Sequence, residues 1–107
     1  MKDRTKALAI PRKVKEAVAR RDSCDGHPCC ILCGKPAPTS APLAFSNAHY
    51  ISRAQGGLGI ERNILTLCPP CHQLFDGAGR EEVRPILVRY LKACYEDWTE
   101  SEVTYQK

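Results

Sequence analysis

The sequence is poor in aromatic residues and contains no long apolar run. Its 107 residues include one Trp, four Tyr and two Phe, and no segment is apolar over the roughly 20 residues that a membrane-spanning helix needs. The N-terminal sequence MKDRTKALAIPRK has neither the apolar centre nor the small-residue cleavage site of a secretory signal. We therefore expect a protein that does not enter a membrane and that resides in the reducing cytoplasm.

A chain of this length is expected to form one domain with a modest core, to which a bound metal would add stability. We expect the domain to span residues 11–98, with its functional core at residues 30–77. A flexible basic tail is expected over residues 1–10, and a second tail over residues 99–107.

Cysteine, in contrast, is abundant, with seven residues in the chain. An odd number of cysteines in a cytoplasmic protein favours metal binding over a set of disulfides. Two Cys-x-x-Cys pairs, Cys30 with Cys33 and Cys68 with Cys71, provide the four thiolates that structural zinc sites prefer. Zinc bound by four thiolates has no open coordination position, so we predict a structural rather than a catalytic ion.

Three cysteines lie outside these pairs. Cys29 adjoins Cys30, and its spacing from Cys33 is also allowed in zinc sites, although Cys30 fits the geometry of a zinc knuckle better. The other two, Cys24 and Cys94, are expected to be buried small apolar groups rather than ligands. A ligand role for Cys24 is the weaker alternative.

Positive charge is concentrated at the N-terminus. The whole chain carries a net charge of +4, whereas residues 1–21 hold eight Lys or Arg against two acidic residues, or +6. Apolar Val14, Ala17 and Val18 recur there at helical spacing, so we predict an amphipathic helix that begins at Pro11. Such a basic helix suits a polyanionic partner such as nucleic acid, and a solvated surface is the alternative.

The pattern of apolar residues predicts an α+β fold built on two strands and a following helix. The expected elements are strands within residues 45–51 and 63–67, a glycine-containing loop at 52–60, a short helix after Cys68, and a longer helix at 81–96. Residues 22–28 are expected to form a loop. Pro85 is acceptable in the last helix only within its first turn, and Trp98 is expected to cap the core.

Two histidines and a carboxylate lie within or beside the segment that the cysteines bracket. His72 and Asp76 are spaced i, i+4, so on a helix they share one face and can hold one hard divalent cation such as Mg²⁺ or Mn²⁺. His49 lies near the end of the first predicted strand, and an imidazole with a pKa near neutrality can deprotonate a water molecule. Together these groups provide the main requirements for hydrolysis of a phosphodiester.

These residues stand in an order that resembles the HNH endonucleases, a family of ββα-metal nucleases. The shared pattern is Cys-x-x-Cys, a His followed by a loop ending in Gly-Gly, an Asn, and a final Cys-x-x-Cys-His, with RAQGG and NILTLC as connecting sequence. The resemblance covers residues 30–76 and points to the subgroup with two zinc knuckles, which includes phage proteins. It implies a ββα-metal core, a β-hairpin plus a helix, stapled by the four-cysteine zinc site. In our prediction the basic N-terminal helix and the C-terminal helix flank this core.

The resemblance also implies a role for each motif residue. His49 corresponds to the general base, and Asn63 to the residue that orients the base or its loop through hydrogen bonds. His72 corresponds to a ligand of the catalytic metal, and Asp76 matches a position at which many members place a further ligand.

One position departs from the family pattern. Many members have an Asp or His that ligates the metal immediately before the base, where this chain has Ala48. Two arrangements are then open: the cation rests on His72, Asp76 and water molecules, or it also takes a nearby oxygen such as that of Asn47. Either arrangement lowers the expected metal affinity.

The function that the resemblance implies is a metal-dependent endonuclease that nicks DNA, of a kind found in phage or prophage DNA packaging or processing within a bacterial cell. Phage packaging proteins or a second copy of the chain are the expected protein partners. Arg53 would clamp the scissile phosphate, with a solvent-facing loop arginine as the alternative. The basic helix would contact the DNA backbone through Arg12, Lys13 and Arg20.

Two alternatives use the same residues differently. The first is a zinc-stapled nucleic-acid-binding module with a degenerate nuclease site, and Ala48 is the observation that favours it. The second is a redox or zinc-storage role for the cysteines, which gives His49, Asn63 and the basic helix no purpose.

Overall fold

The structure of the chain, a computed structural model, describes residues 3–39 and 44–106, with side chains from Lys6 onward. Residues 1, 2 and 107 of the two predicted tails lie outside this range. The helices and strands, in chain order, are α1 (Asp3–Leu8), α2 (Arg12–Arg21), β1 (Ser23–Cys24), β2 (His27–Pro28), β3 (Ser46–His49), β4 (Ile64–Leu67), α3 (Pro69–Asp76) and α4 (Arg80–Cys94). Short 3₁₀ turns occupy Arg53–Gln55, Glu61–Asn63 and Ser101–Val103.

The predicted α+β core of two strands and a helix is confirmed. β3 and β4 pair antiparallel, with Ser46 opposite Leu67 and His49 opposite Ile64. Every residue of β4 is buried, including the polar Thr66, as expected for a strand that is covered on both faces. Cys68 then ends the strand and caps α3, whose first residues are two prolines that suit the first helical turn.

The few aromatic residues of the chain are concentrated in the core. The ring of Tyr50 stacks on Phe75 at 6.4 Å and meets Trp98 edge-on at 5.4 Å between centroids. Trp98 is 3 % exposed and donates its indole N–H to the Arg62 carbonyl at 2.7 Å. The expectation that Trp98 caps the core is therefore confirmed, and Tyr50 anchors the end of β3 between α3 and the C-terminal segment.

The predicted N-terminal helix is confirmed as α2, with Pro11 in the capping position and Val18 buried. One of its basic residues is internal, because the Arg21 guanidinium pairs with buried Asp22 at 2.7 Å and donates to the carbonyls of Glu61 and Ile64. Arg21 therefore ties α2 to the start of β4 and takes no part in a solvent-facing basic surface.

The segment predicted as a loop at residues 22–28 contains a small hairpin, β1 paired with β2. Its two turn residues, Asp25 and Gly26, both have positive φ angles, of 51° and 82°. An Asp-Gly pair with both φ angles positive is a preferred two-residue hairpin turn, so a local sequence signal for this hairpin is present. His27, in β2, faces the Ala37 carbonyl through Nδ1 at 3.0 Å.

Residues predicted to form tails pack instead against the loop that follows β3. On the N-terminal side, Leu8 is buried, and the Ala7 carbonyl accepts from the Gly59 amide at 2.9 Å. On the C-terminal side, Val103 is buried and its carbonyl accepts from the Leu58 amide at 2.9 Å. The glycine-containing loop exposes backbone groups that need partners, and the two chain ends provide them.

The last helix begins at Arg80, so Pro85 lies beyond its first turn, contrary to the expectation. Pro85 and Glu81 are both exposed, which leaves the Glu81 carbonyl accessible to water where the helical hydrogen bond is missing. Cys94, the last residue of α4, is exposed, as is Cys24 in the hairpin, so the prediction that both are buried is wrong. Among the helices of residues 3–39 and 44–106, none combines the length and apolar character needed to cross a bilayer.

Candidate functional site

Four cysteines from the two predicted knuckles form a compact cluster. The sulfur atoms of Cys30, Cys33, Cys68 and Cys71 all lie within 4.8 Å of one another, and those of Cys33 and Cys68 are 3.7 Å apart. In the first knuckle the chain turns at Gly34, which has a φ of 79° and whose amide donates to the Cys30 carbonyl at 2.8 Å. The second knuckle is the N-terminus of α3.

The spacing of the sulfur atoms fits a tetrahedral metal site. Thiolates bound about 2.3 Å from a zinc ion in a tetrahedron lie about 3.8 Å from one another, whereas a disulfide would hold two sulfurs near 2.05 Å. The cluster could therefore hold a metal such as zinc. Cys29 is not part of any such group among the described residues, and its thiol contacts the His27 carbonyl at 3.6 Å. The ligand set that uses Cys30 is the one that the fold brings together.

The thiols of the cluster have unequal acidities. Burial opposes ionisation of Cys30, but hydrogen bonds from the backbone of Cys68, Cys33 and Leu32 outweigh it and lower its pKa to about 7. Burial raises the pKa of Cys68 and of Cys71. Zinc binds cysteine as the thiolate, so metal binding would release protons from the thiols whose pKa is raised.

His49 ends β3 and is half-buried beside the N-terminal segment. Its Nε2 lies 2.9 Å from the carbonyl oxygen of Leu8. A carbonyl only accepts, so Nε2 carries the proton, and the lone pair of the neutral ring is on Nδ1. Burial, and then the positive charge of Arg53, lower the pKa of His49 below 6.5, against the opposing effect of the Leu8 hydrogen bond. The imidazole is consequently neutral near pH 7 and able to accept a proton.

Asn63 holds the loop that follows His49. It is completely buried; its Oδ1 accepts from the Ile51 amide at 2.8 Å, and its Nδ2 donates to the carbonyls of Ile51 and Leu58 at 3.2 and 2.9 Å. A Cβ at Gly57 would overlap the Ile51 carbonyl and lie 2.9 Å from Nδ2 of Asn63. The second glycine of the Gly-Gly pair is thus required for the backbone to close around the Asn63 amide.

His72 and Asp76 lie one helical turn apart on α3, with 3.4 Å between Nε2 and Oδ2. The hydroxyl of Ser46, at the start of β3, contacts two groups: the Leu67 carbonyl at 3.1 Å and Nδ1 of His72 at 2.7 Å. The single hydroxyl proton goes to the carbonyl, so Ser46 accepts from Nδ1–H of His72. The lone pair of neutral His72 is then on Nε2, facing the Asp76 carboxylate.

An imidazole nitrogen and a carboxylate oxygen at this separation fit one divalent cation. Among the described residues no third His, Cys, Asp or Glu joins the pair within coordinating distance. Ala48 is 1 % exposed in the core and offers no ligand atom. Mg²⁺ commonly keeps several water ligands, which is compatible with a site that has two protein ligands.

The candidate DNA contacts fall into two groups. Arg53 is exposed in the turn after β3, and its charge acts on His49, so it lies near that imidazole. Arg12, Lys13 and Arg20 are exposed on α2, and Arg12 forms only a loose pair with Glu16 at 3.5 Å. Arg12 follows Leu8, the residue that contacts His49, by four positions, which brings the start of α2 to the same region.

Sequence reasoning did not predict three groups that contact His49, His72 or the aromatic residues packed beside them. They are the Leu8 carbonyl on His49, the Ser46 hydroxyl on His72, and Arg80, which donates to the Tyr50 carbonyl at 2.9 Å and lies over the Phe75 ring at 4.3 Å. The apolar pair Leu8 and Ile10 inside the basic N-terminal segment was a signal that this segment packs. Nothing local in the sequence marks the other two.

Comparison with protein-family models finds no family that matches this chain, and a search of curated proteins finds no match. The resemblance to HNH endonucleases therefore rests on the motif residues and their order alone.

Proposed function

We propose that the protein is a metal-dependent HNH endonuclease that nicks DNA and uses its cysteine cluster to bind structural zinc. The observation that carries this proposal is that the two motif histidines have their lone pairs on different ring nitrogens and in different surroundings. His49 has its lone pair on Nδ1 and a pKa lowered by burial and by the charge of Arg53. His72 has its lone pair on Nε2 beside a carboxylate. One is suited to accept a proton and the other to bind a cation.

In the proposed reaction, Nδ1 of His49 takes a proton from a water molecule, whose oxygen attacks the phosphorus. The Nε2–H bond to the Leu8 carbonyl stabilises the imidazolium that forms. The bond between phosphorus and the 3′ oxygen breaks, which leaves a 5′-phosphate and, after the oxygen gains a proton from solvent, a 3′-hydroxyl. Asn63 keeps His49 and its loop in place during this step.

His72 and Asp76 would hold a divalent cation, Mg²⁺ or Mn²⁺. Such a cation, when bound, neutralises charge on the phosphate and stabilises the departing 3′ oxygen. Arg53 provides a second positive group that can contact a phosphate oxygen through two N–H donors.

Zinc would bind Cys30, Cys33, Cys68 and Cys71, where the chemistry it supplies is cross-linking rather than catalysis. The cluster joins the first knuckle to the N-terminus of α3, and His72 follows Cys71 directly. The position of His72, the proposed cation ligand, relative to β3 would therefore depend on the four cysteines being held together by their metal.

DNA is the proposed substrate because the groups around the base and along α2 are cationic. Arg53, Arg12, Lys13 and Arg20 suit contacts with phosphates, which give salt-dependent affinity with little sequence preference. One such site makes one cut, so a nick is the expected product. A phage or prophage setting in a bacterial cell, with packaging proteins or a second copy as partners, follows from the resemblance.

The test is conversion of supercoiled plasmid to the nicked form with Mg²⁺ or Mn²⁺, by wild-type protein and by His49→Ala. Nicking that needs metal and is lost in the variant supports the proposal. Equal nicking by both proteins would contradict it, because the activity would then not use His49.

A second candidate is a zinc-stapled nucleic-acid-binding module whose nuclease site is inactive. Ala48 and the two-residue cation site favour it. Its expected result is DNA binding that weakens steeply with salt, with no nicking under Mg²⁺, Mn²⁺, Co²⁺ or Ni²⁺.

A further inference from the structure

The contact between His49 and Leu8 joins the proposed base to a part of the chain outside the HNH motif. The Leu8 carbonyl is the group 2.9 Å from Nε2 of His49, and Leu8 itself is 2 % exposed. We propose that this main-chain carbonyl positions the base, and that residues 7–10 are a working part of the active site. This inference rests on the proposed nuclease function, since it assigns the segment a role in the same reaction.

The N-terminal segment is held against the site at its backbone. The Gly59 amide donates to the Ala7 carbonyl at 2.9 Å. A Cβ at Gly59 would overlap the Ala9 carbonyl and lie 3.1 Å from the Ile10 amide. The segment can lie this close only because residue 59 has no side chain, and a close backbone approach is a specific use of glycine. Three consecutive residues, Ala7 to Ala9, therefore contact either the base or its loop.

This arrangement gives the base two independent restraints. Asn63 fixes the loop that follows His49 from inside the core, while Leu8 fixes the imidazole itself from the N-terminal side. The ring is held with Nε2–H toward the carbonyl, which places the lone pair that accepts a proton on Nδ1. As the ring gains a proton, the bond from Nε2–H to the carbonyl becomes a charge-assisted hydrogen bond and strengthens. Leu8 is thus a positioning residue, acting through His49 and touching no substrate.

Gly59→Ala tests this arrangement because it displaces the segment without changing His49. We expect kcat for plasmid nicking to fall by about 10- to 100-fold, the range expected when a reacting group is misplaced, with KM changed less than threefold, about 0.6 kcal/mol. Gly26→Ala is the matched control: Gly26 has a positive φ of 82°, and a Cβ there meets no atom within 4 Å. It introduces backbone strain at the hairpin and leaves the N-terminal segment in place, so its kcat should stay near that of wild type.

A second variant avoids the risk that Gly59→Ala disturbs folding. Cys24 permits ligation of a synthetic peptide of residues 1–23 to the remaining chain, with an ester in place of the amide between Leu8 and Ala9. The ester oxygen makes the Leu8 carbonyl a weaker acceptor and leaves every side chain unchanged. We expect kcat to fall by about three- to tenfold, the loss typical of one weakened hydrogen bond. The same ester between Glu16 and Ala17, two residues with no role in the proposed site, is the control and should leave kcat near wild type.

A readout independent of activity is the Nε2–H proton of His49 in ¹H–¹⁵N NMR spectra of the zinc-loaded protein at pH 7.5. A protected signal is expected in wild type and in Gly26→Ala, and its loss in Gly59→Ala. The proposal is overturned if wild type lacks the signal, or if the ester and Gly59→Ala nick as fast as wild type. If the signal behaves as expected but wild type fails to nick DNA with either Mg²⁺ or Mn²⁺, the nuclease function fails and the docking of residues 7–10 on His49 is upheld.

Discussion

The hydroxyl of Ser46, in β3, accepts a hydrogen bond from Nδ1 of His72, in α3, at 2.7 Å. This contact joins the β3–β4 hairpin to the helix that follows it. Because the same hydroxyl donates to the Leu67 carbonyl, it acts on His72 only as an acceptor. The contact sets the tautomer of His72 and directs its Nε2 lone pair toward Asp76.

Ser46→Ala is therefore expected to weaken binding of the divalent cation. The variant frees the His72 ring to rotate and to protonate Nε2, and loss of such a supporting contact typically costs 10- to 100-fold in metal affinity. Mn²⁺ binding by electron paramagnetic resonance measures this directly. Ser46→Thr retains the hydroxyl and suits a strand, so its affinity should stay close to wild type. Equal affinity of Ser46→Ala and wild type would show that the contact does not orient the ligand.

Asn63→Ala is expected to destabilise the protein by about 3 kcal/mol, since it leaves the Ile51 amide and the carbonyls of Ile51 and Leu58 without a buried partner. Urea unfolding of the zinc-loaded protein gives the free energy of unfolding. Gln55→Ala, an exposed position in the same loop, is the control and should change stability by less than about 0.5 kcal/mol. A similarly small effect of Asn63→Ala would contradict the role of Asn63 in holding the loop.

The pH dependence of nicking follows from the lowered pKa of His49. The base works in its neutral form, so kcat/KM should be level near pH 7 and fall as pH drops through a pKa below 6.5. The positive charge of Arg53 disfavours protonation of His49, so Arg53→Gln should move the inflection to higher pH. Arg20→Gln, on α2, is the control and should leave it in place. An inflection above 6.5 in the wild type would be inconsistent with this environment.

Removal of the metal from the cysteine cluster should unfold the core of the domain, because a chain of this size has limited apolar burial. Metal analysis is expected to give one zinc ion per chain. Cys33→Ser should lose the metal and most of the native circular dichroism signal, whereas Cys94→Ser, at an exposed position, should keep both. Retention of zinc by Cys30→Ser together with loss from Cys29→Ser would reassign the ligand from Cys30 to Cys29.

The parts of this structure that the sequence predicts are those encoded by local spacing. Three local patterns each predicted one element that is present: the Cys-x-x-Cys pairs, the β-branched and alternating sequence of residues 63–67, and the helical repeat of Val14, Ala17 and Val18. The Asp25-Gly26 turn was encoded as locally as these, although it was interpreted as loop.

The docking of the chain ends could not be predicted in the same way. The contact of Leu8 with His49 joins residues 41 positions apart, and it depends on the path of a loop that Asn63 and Gly57 shape. The basic composition of residues 1–10 suggested a tail. Composition does not indicate that the Leu8 carbonyl contacts the imidazole of His49. The pairing of Ser46 with His72 is likewise a product of the hairpin register, since Ser46 lies opposite Leu67.

The central claim is that His49 acts as the base of a metal-dependent nuclease, and single-turnover nicking of supercoiled plasmid with Mg²⁺ or Mn²⁺ tests it most directly. Wild type and His27→Ala should nick at the same rate, because His27 lies in the separate β1–β2 hairpin and faces the Ala37 carbonyl. His49→Ala should be slower by about 100-fold or more, the usual contribution of a general base. Equal rates for His49→Ala and wild type, or no metal-dependent nicking by folded, zinc-loaded wild type, would contradict the claim.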